Sequence, residues 1–444
     1  MHRLSIGLAA SVALFWCGIS TAQDASELTE QIASANSQSS LFIKQGQIDK
    51  ALASAKTAYE LALGAWGVEN IDTAVLTANY ARLLNHVGSH SAARPLFEAA
   101  LKSYEQTHSE TAVELVPVLM DFAEASYGAL QRELVDRALT IQRASNPTAT
   151  LAHAHLAARG GALIASTNVD KDGAVPMLEN ALSVFETNYG EASMELATLL
   201  MSLGDAHTGT AKRDAIPRRY YARAIKIAQA SGDPIVHADF MHKAGLHLMS
   251  MAGSPKGRRY LDDAYQIFEK NLGQNHIKTA NAALSMARFQ LASRRPAKAE
   301  PYLTQAVSVF EKAPQFRNHH LKTLGLLVDT YEQLGERDKA TPYCRAIGKV
   351  TPWVEDQDVV PLVRVAPRYP ASAQNRAQQG RVSIALTIDQ NGFVTDPKVV
   401  ESVGPKVFEQ AAVDAIKRWR FAPSFVGGEP QPREITQIIR FAMR

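Results

Sequence analysis

Cysteine is almost missing from this chain: of 444 residues only Cys17 and Cys344 carry a thiol. Loss of the first 22 residues would leave Cys344 alone, which excludes an internal disulfide and leaves packing to hold the fold. Cys344 itself reads as a small helix-packing residue. Charge of one sign is lacking too. Lys and Arg total 47 against 44 Asp and Glu, a net charge of +3, which gives no footprint for nucleic acid as a partner. The apolar run at residues 4–19 is about 16 long, where roughly 20 residues are needed to cross a bilayer. Catalytic and cofactor signatures are absent as well: no HExxH, no Cys-His cluster, no phosphate-cradling glycine loop and no glycine-bracketed serine. His237, His242 and His247 stand five apart, about 140° per step around a helix, so they scatter and do not converge on a metal. No catalytic, cofactor or metal residues are assigned, and the chain reads as non-enzymatic.

What is present begins at the N-terminus. Met1-His2-Arg3, the apolar run and Ser20-Thr21-Ala22 have the layout of an export signal with a cut after Ala22. Residues 1–22 are therefore expected to be a cleaved signal peptide and the mature protein periplasmic; the alternative keeps the run as an inner-membrane anchor facing the periplasm. Trp16 precedes Cys17 where a lipoprotein signal wants a small residue. Hydrophobic content of 46% and charged content of 20% suit a soluble globular chain, and its length calls for more than one domain.

After a short linker at 23–40, residues 41–350 repeat a helical pattern. Ala-x-Pro recurs at Ala93-Pro95, Ala174-Pro176, Ala215-Pro217, Ala299-Pro301 and Ala340-Pro342. Because proline lacks the amide that has no intrahelical partner in a first turn, each is expected to mark a helix start. Gly88 and Gly335 stand where a left-handed residue ends the helix before. A second series, Ala58, Ala100, Ala138, Ala181, Ala224, Ala264 and Ala306, recurs about every 38–43 residues, the period of stacked helical hairpins. Tyr104, Phe185, Phe268 and Phe310 follow four residues after members of this series, so a small residue permits close approach and a ring fills the groove. Seven or so pairs are expected, an all-α helical-hairpin repeat solenoid. With "TYEQLGERDKA" at 330–340 the series resembles the tetratricopeptide repeat, which implies a protein-binding scaffold. Paired arginines at Arg218-Arg219, Arg258-Arg259 and Arg294-Arg295 are candidates for an acidic docking stripe, weighed against plain solvated turns.

Past residue 350 the period changes. Residues 351–368 read as an extended linker, since prolines forbid a long helix. A short helix is expected over 371–378, closed by Gly380. Val382, Ile384, Leu386 and Ile388 alternate with smaller or polar residues, the signature of a strand with one buried face. "DQNG" at 389–392 supplies a turn, and a second strand is expected near 398–403. Phe408, Ala411, Ala412, Ala415, Ile416 and Trp419 fall on one helical face that would lie across the sheet, Pro423 stops the helix, Gly427-Gly428 turns the chain, and residues 435–443 form the last strand.

"YP" at Tyr369-Pro370, Gly380, "IDQNGFV" at 388–394 with Gly392, "ESVG" at 401–404, "FEQAAVDAIKRWRFAP" at 408–423 and Gly428-Glu429-Pro430 together resemble the TonB C-terminal domain over about residues 355–444. The resemblance implies a small α+β domain, placed at 369–444, with two helices on a three-stranded antiparallel sheet. Its outer strand recruits an extended segment, the TonB box, of an outer-membrane transporter. The expected peptide-binding residues are Ile435, Thr436, Gln437, Ile438, Ile439, Arg440 and Phe441 of the last strand, with Ala366, Arg368 and Tyr369 ahead of the domain. Pro370, Gly380, Gly392, Phe408, Trp419, Phe421 and Pro423 are expected to be structural. In that family a glutamine precedes the Pro-x-Tyr-Pro run; here Ala366 occupies that place. The Ser–His anchor and Pro-rich spacer of energy-transducing members are missing too.

These features read as a non-enzymatic periplasmic protein whose C-terminal domain captures extended peptides by strand addition. Its expected partners are outer-membrane TonB-dependent transporters and, through the repeats, other envelope proteins. Pairing of two copies through the last strand is a further expectation. The alternatives are a membrane-anchored energy transducer and an envelope assembly or chaperone scaffold.

Overall fold

The computed structural model describes residues 22–148, 150–167, 170–208, 215–250, 255–350 and 359–443. The export signal at 1–22, all but its last residue, and the linker as far as residue 358 lie outside them. The chain divides into two units, Met1–Ser231 and Gly232–Arg444.

Small residues at fixed intervals make the first unit. Its antiparallel pairs are α1 (Ala22–Lys44) with α2 (Ile48–Trp66), α3 (Ile71–His86) with α4 (His90–Thr107), α5 (Leu115–Glu124) with α6 (Gly128–Ser145), α7 (Thr150–Ser166) with α8 (Lys171–Tyr189), and α9 (Met194–Ala206) with α10 (Ala215–Ala230). Ala58, Ala100, Ala138, Ala181 and Ala224 sit one on each even-numbered helix and are buried to 1% exposure or less. A methyl there lets the paired helix approach closely. Residues 23–40 are a correction: they are helix, not linker. Ile32 and Ala35 of α1 are buried against Ala58 and Ala62 of α2, and burying that face outweighs the polar composition that read as a linker.

The second unit continues the same rule with α11 (Pro234–Ser250) and α12 (Pro255–Leu272), α13 (Ile277–Ala292) and α14 (Pro296–Glu311), then α15 (Arg317–Leu334) and α16 (Arg337–Val350). Ala264 and Ala306 are fully buried, with Phe268 and Phe310 beside them. Pro217 stands in the first turn of α10 as expected, but for the other four Ala-x-Pro prolines the expectation of a helix start is corrected. Pro95, Pro176, Pro301 and Pro342 lie inside α4, α8, α14 and α16, and each helix starts about a turn earlier. Loss of one early hydrogen bond is tolerated because the alanine two residues before each proline is fully buried and anchors the turn. Gly335 does end α15 in the left-handed region, φ +75°, donating to the Glu332 and Tyr331 carbonyls.

The same unit ends in a small α+β domain: α17 (Ala371–Gln374), β1 (Gly380–Ile388), β2 (Val394–Val403), α18 (Val407–Ile416), β3 (Ser424–Val426), β4 (Glu429–Gln431) and β5 (Arg433–Phe441). Val382, Ile384, Leu386 and Ile388 are all buried, and with Phe408, Ala412, Ile416, Trp419 and Phe441 they form one core. Several bounds shift from those expected. The first helix is a single turn, β2 starts four residues earlier, and α18 stops at Ile416, so Trp419 reaches the core from the turn that follows. The short β3–β4 hairpin was not foreseen; Gly427 and Gly428, φ +61° and +88°, form its two-residue turn.

Candidate functional site

The sheet order is β2-β1-β5, so β1 is central and both neighbours are edges. They are built differently. β5 runs against β1 without interruption, from Gly380 opposite Phe441 to Ile388 opposite Arg433. β2 is irregular at two places, between Ser383 and Ile384 and between Ala385 and Thr387 on its partner. The second break coincides with Asp396, whose φ is +48°, and with Pro397, which has no N–H to offer.

Side chains of β5 alternate. Ile439 and Phe441 face the core, whereas Thr436, Ile438 and Arg440 are exposed, Ile438 to 45%. Ile435 and Gln437 are half-buried on the core face, and the Gln437 amide donates to the Val359 carbonyl at 2.7 Å. The extended chain before the domain thus meets β5 through a side chain on the sheet's core face. Among the described residues the backbone of β5 pairs with β1 alone.

That extended chain is held at two further points. The Trp419 indole N–H donates to the Val365 carbonyl at 2.8 Å, and the backbones of Val363 and Arg420 exchange bonds of 3.2 and 3.0 Å. Of the three residues expected to meet a peptide ahead of the domain, Ala366 and Arg368 are exposed, whereas Tyr369 is half-buried. Its ring meets Phe408 and Phe441 edge-on, at 5.5 and 5.7 Å, and its hydroxyl donates to the Gln378 carbonyl. All three line a cavity of about 570 Å³ against α18, whose lining also includes Asp414 of that helix and Arg418 just beyond its end. Among the residues expected to be structural, Phe408, Trp419 and Phe421 are buried to 1% or less. Gly380 and Gly392 are pressed against backbone: a Cβ would lie 2.3 Å from the Val403 carbonyl oxygen at the first and 2.1 Å from that of Phe421 at the second.

Sequence reasoning missed Arg420. It is fully buried and points away from the core that its neighbours Trp419 and Phe421 fill, into the last helical hairpin. Its Nη2 donates to Thr341 Oγ1 at 2.7 Å, its Nε lies 3.4 Å from Glu332 Oε1, and its guanidinium sits 3.4 Å over the Phe393 ring. Glu332 is shared with Arg337, whose Nε donates to it at 2.8 Å. Nearby, Arg345 donates to Asn391 Oδ1 at 2.7 Å, and Gly348 leaves only enough room for the Pro423 carbonyl, 2.3 Å from where a Cβ would be. Burial pushes the Cys344 thiol up from its ordinary pKa, with Arg420 opposing, so this thiol stays protonated and packs. A charged residue between two core aromatics was the available signal, since alternation sends it to the opposite side.

A family model described as Gram-negative bacterial TonB protein C-terminal matches residues 365–443. Residues 365–443 are a TonB C-terminal domain. Protein TonB of Pseudomonas aeruginosa is 36% identical over 88 residues, which cover 20% of this chain and 26% of that protein. The chain therefore spans about a quarter of this relative's length. A solution NMR structure of the Pseudomonas aeruginosa TonB C-terminal domain is 36% identical, covering 20% of this chain and 91% of that one, with a TM-score of 0.18. The helical array is similar to TPR-like repeats of a putative kinesin light chain from Podospora anserina, 16% identical over 46% of this chain and 94% of that one, TM-score 0.37. In this TonB C-terminal domain, β5 is the uninterrupted edge and β2 the broken one.

Proposed function

We propose that the chain is a periplasmic protein of TonB-dependent transport. In this proposal its C-terminal domain captures an extended, TonB-box-like segment of an outer-membrane transporter as a fourth strand beside β5, and the helical repeats serve as a scaffold for other envelope proteins. The contrast between the two sheet edges carries this reading. An incoming strand needs a run of evenly spaced N–H and C=O groups. β5 offers nine residues in unbroken register, whereas β2 is bent by its bulges and lacks a donor at Pro397. The exposed Thr436, Ile438 and Arg440 side chains lie along the strand such a peptide would join. A second copy could use the same edge, so dimerisation through β5 would compete with capture.

Titration of the full chain with a TonB-box peptide, followed by amide hydrogen exchange, tests this. The outward-facing amides of Arg433–Phe441 should gain protection on saturation and those of β2 should not. Successive residues direct their N–H groups to opposite edges, so of the single variants Ile438→Pro and Ile439→Pro, one removes an outward donor and the other a bond to β1. The outward variant should keep its fold and lose the peptide. Unchanged affinity in both variants rejects the β5 site.

A further inference from the structure

A second candidate site lies on the helical array of the second unit and does not depend on the peptide-capture proposal. Helices α11, α13 and α15 together line a cavity of about 330 Å³. On α13, Lys278, Asn281, Ser285 and Arg288 stand at intervals of three, four and three, which places them in one row on one face. α15 adds Lys322, and α11 adds Asp239. The buried Leu284 gives the cavity an apolar floor, and Leu246, 40% exposed, adds apolar surface to its lining.

Most charged helix faces are simply solvated, and the first unit provides the comparison. There two cations of the odd-numbered helices, Arg82 of α3 and Arg159 of α7, are matched: both bind Asp121 of α5, at 2.6 and 3.0 Å, and Arg159 also binds Glu124 at 2.6 Å. In the cavity of the second unit only Lys278 is matched, with Asp239 at 2.5 Å. Among the described residues Arg288 and Lys322 have no carboxylate within ion-pair distance, and the other acid on that face of α15, Asp329, lies about two turns beyond Lys322. His242 is hydrogen-bonded to Ser285 at 2.9 Å and burial keeps it neutral, its pKa lowered to about 4, so it adds no charge of its own. The Asn281 side chain is half-buried beside these groups and can both donate to and accept from a peptide backbone.

We propose that this groove binds an acidic, extended segment of a partner protein, with Arg288 and Lys322 taking its carboxylates and Asn281 its main chain. The excess of cations over a leucine floor fits a peptide carrying both acidic and apolar side chains. The paired arginines are a different feature, and Arg258 and Arg259, expected on a turn, lie within α12: Arg259 is 82% exposed and already sits 3.7 Å from Asp263, and Arg258 stacks on the Phe289 ring.

The test is fluorescence anisotropy of the full chain with a fluorescein-labelled peptide built of Glu, Leu and Ser, against the same peptide with Gln for Glu. The acidic peptide should bind at least about tenfold more tightly than the Gln peptide, and the Arg288→Gln/Lys322→Gln double variant should remove that preference, with an unchanged thermal melt. Arg258→Gln/Arg259→Gln, which removes the same charge elsewhere, should leave binding as it was. Equal affinity for the two peptides, or an equal loss in both double variants, would overturn the proposal, the second outcome meaning general attraction to a basic surface.

Discussion

Arg420→Met removes a buried cation while keeping a side chain of similar length, and the surroundings set its cost. Glu332, only 10% exposed, would lose one of its two cations and keep Arg337. Breaking a buried ion pair from one side costs about 3–5 kcal/mol. Retention of Arg337 favours the lower end, while loss of the contact over Phe393 adds about 1–2 kcal/mol. Methionine refills part of the space, so we expect a net loss of about 3 kcal/mol. The companion variant is Arg420→Met with Glu332→Leu. With both charges gone no carboxylate is stranded, and well-packed apolar replacements of buried pairs are often neutral. The double variant should recover about half of the loss. Native-state hydrogen exchange of the full chain reads this directly through the amides of β1 and α16. In wild type both should open at similar free energy, because Arg420, Arg345 and Gly348 join the sheet domain to the last hairpin; in Arg420→Met the β1 amides should open more easily. A change below about 1 kcal/mol in the single variant, or no recovery in the double one, would refute Arg420 as the residue that fastens the two together.

Trp419→Ala should cost about 3–5 kcal/mol and Trp419→Phe roughly 1 kcal/mol for the lost bond to Val365, with near-ultraviolet circular dichroism of the sheet domain showing the difference. Gly392→Ala combines a φ of +85° with a Cβ 2.1 Å from the Phe421 carbonyl oxygen; it should lower the unfolding free energy from urea titration by more than about 1 kcal/mol, and a neutral result would mean the turn can move away. For His242 the folded pKa of about 4 lies below its ordinary 6.5 because burial disfavours the charged form. The unfolded chain therefore binds the proton more readily, so this contribution is full above about pH 6.5 and is lost as pH falls toward about 4, by at most about 2–3 kcal/mol. His242→Gln should flatten urea midpoints across that window, and an unchanged slope would show that His242 is not the group responsible.

Periodicity made much of the fold legible. The alanine series from Ala58 to Ala306 located every second helix from α2 to α14, because only a small residue tolerates close helix approach wherever it falls. The alternation from Val382 to Ile388 located the central strand for a similar reason, since a buried face admits no polar residue. Where the local signal was ambiguous, tertiary burial decided. Residues 23–40 look polar enough for a linker, yet Ile32 and Ala35 find apolar partners on α2. The prolines after Ala93 and Ala174 look like helix starts, yet packing of those alanines carries each helix a turn further back.

The candidate sites divide along the same line. Composition and pattern alone fixed a helical array followed by a small sheet domain, and the family resemblance named the last strand as its outer one. They could not tell which of two edges is regular, since bulges at Val400 and Asp396 appear only when β2 is laid against β1. Nor could they pair Arg420 with Glu332, 88 residues earlier in the chain, or show that Arg288 and Lys322 share a cavity whose acid, Asp239, is already taken by Lys278. Charge pairing depends on distance in space, and a linear sequence records only distance along the chain.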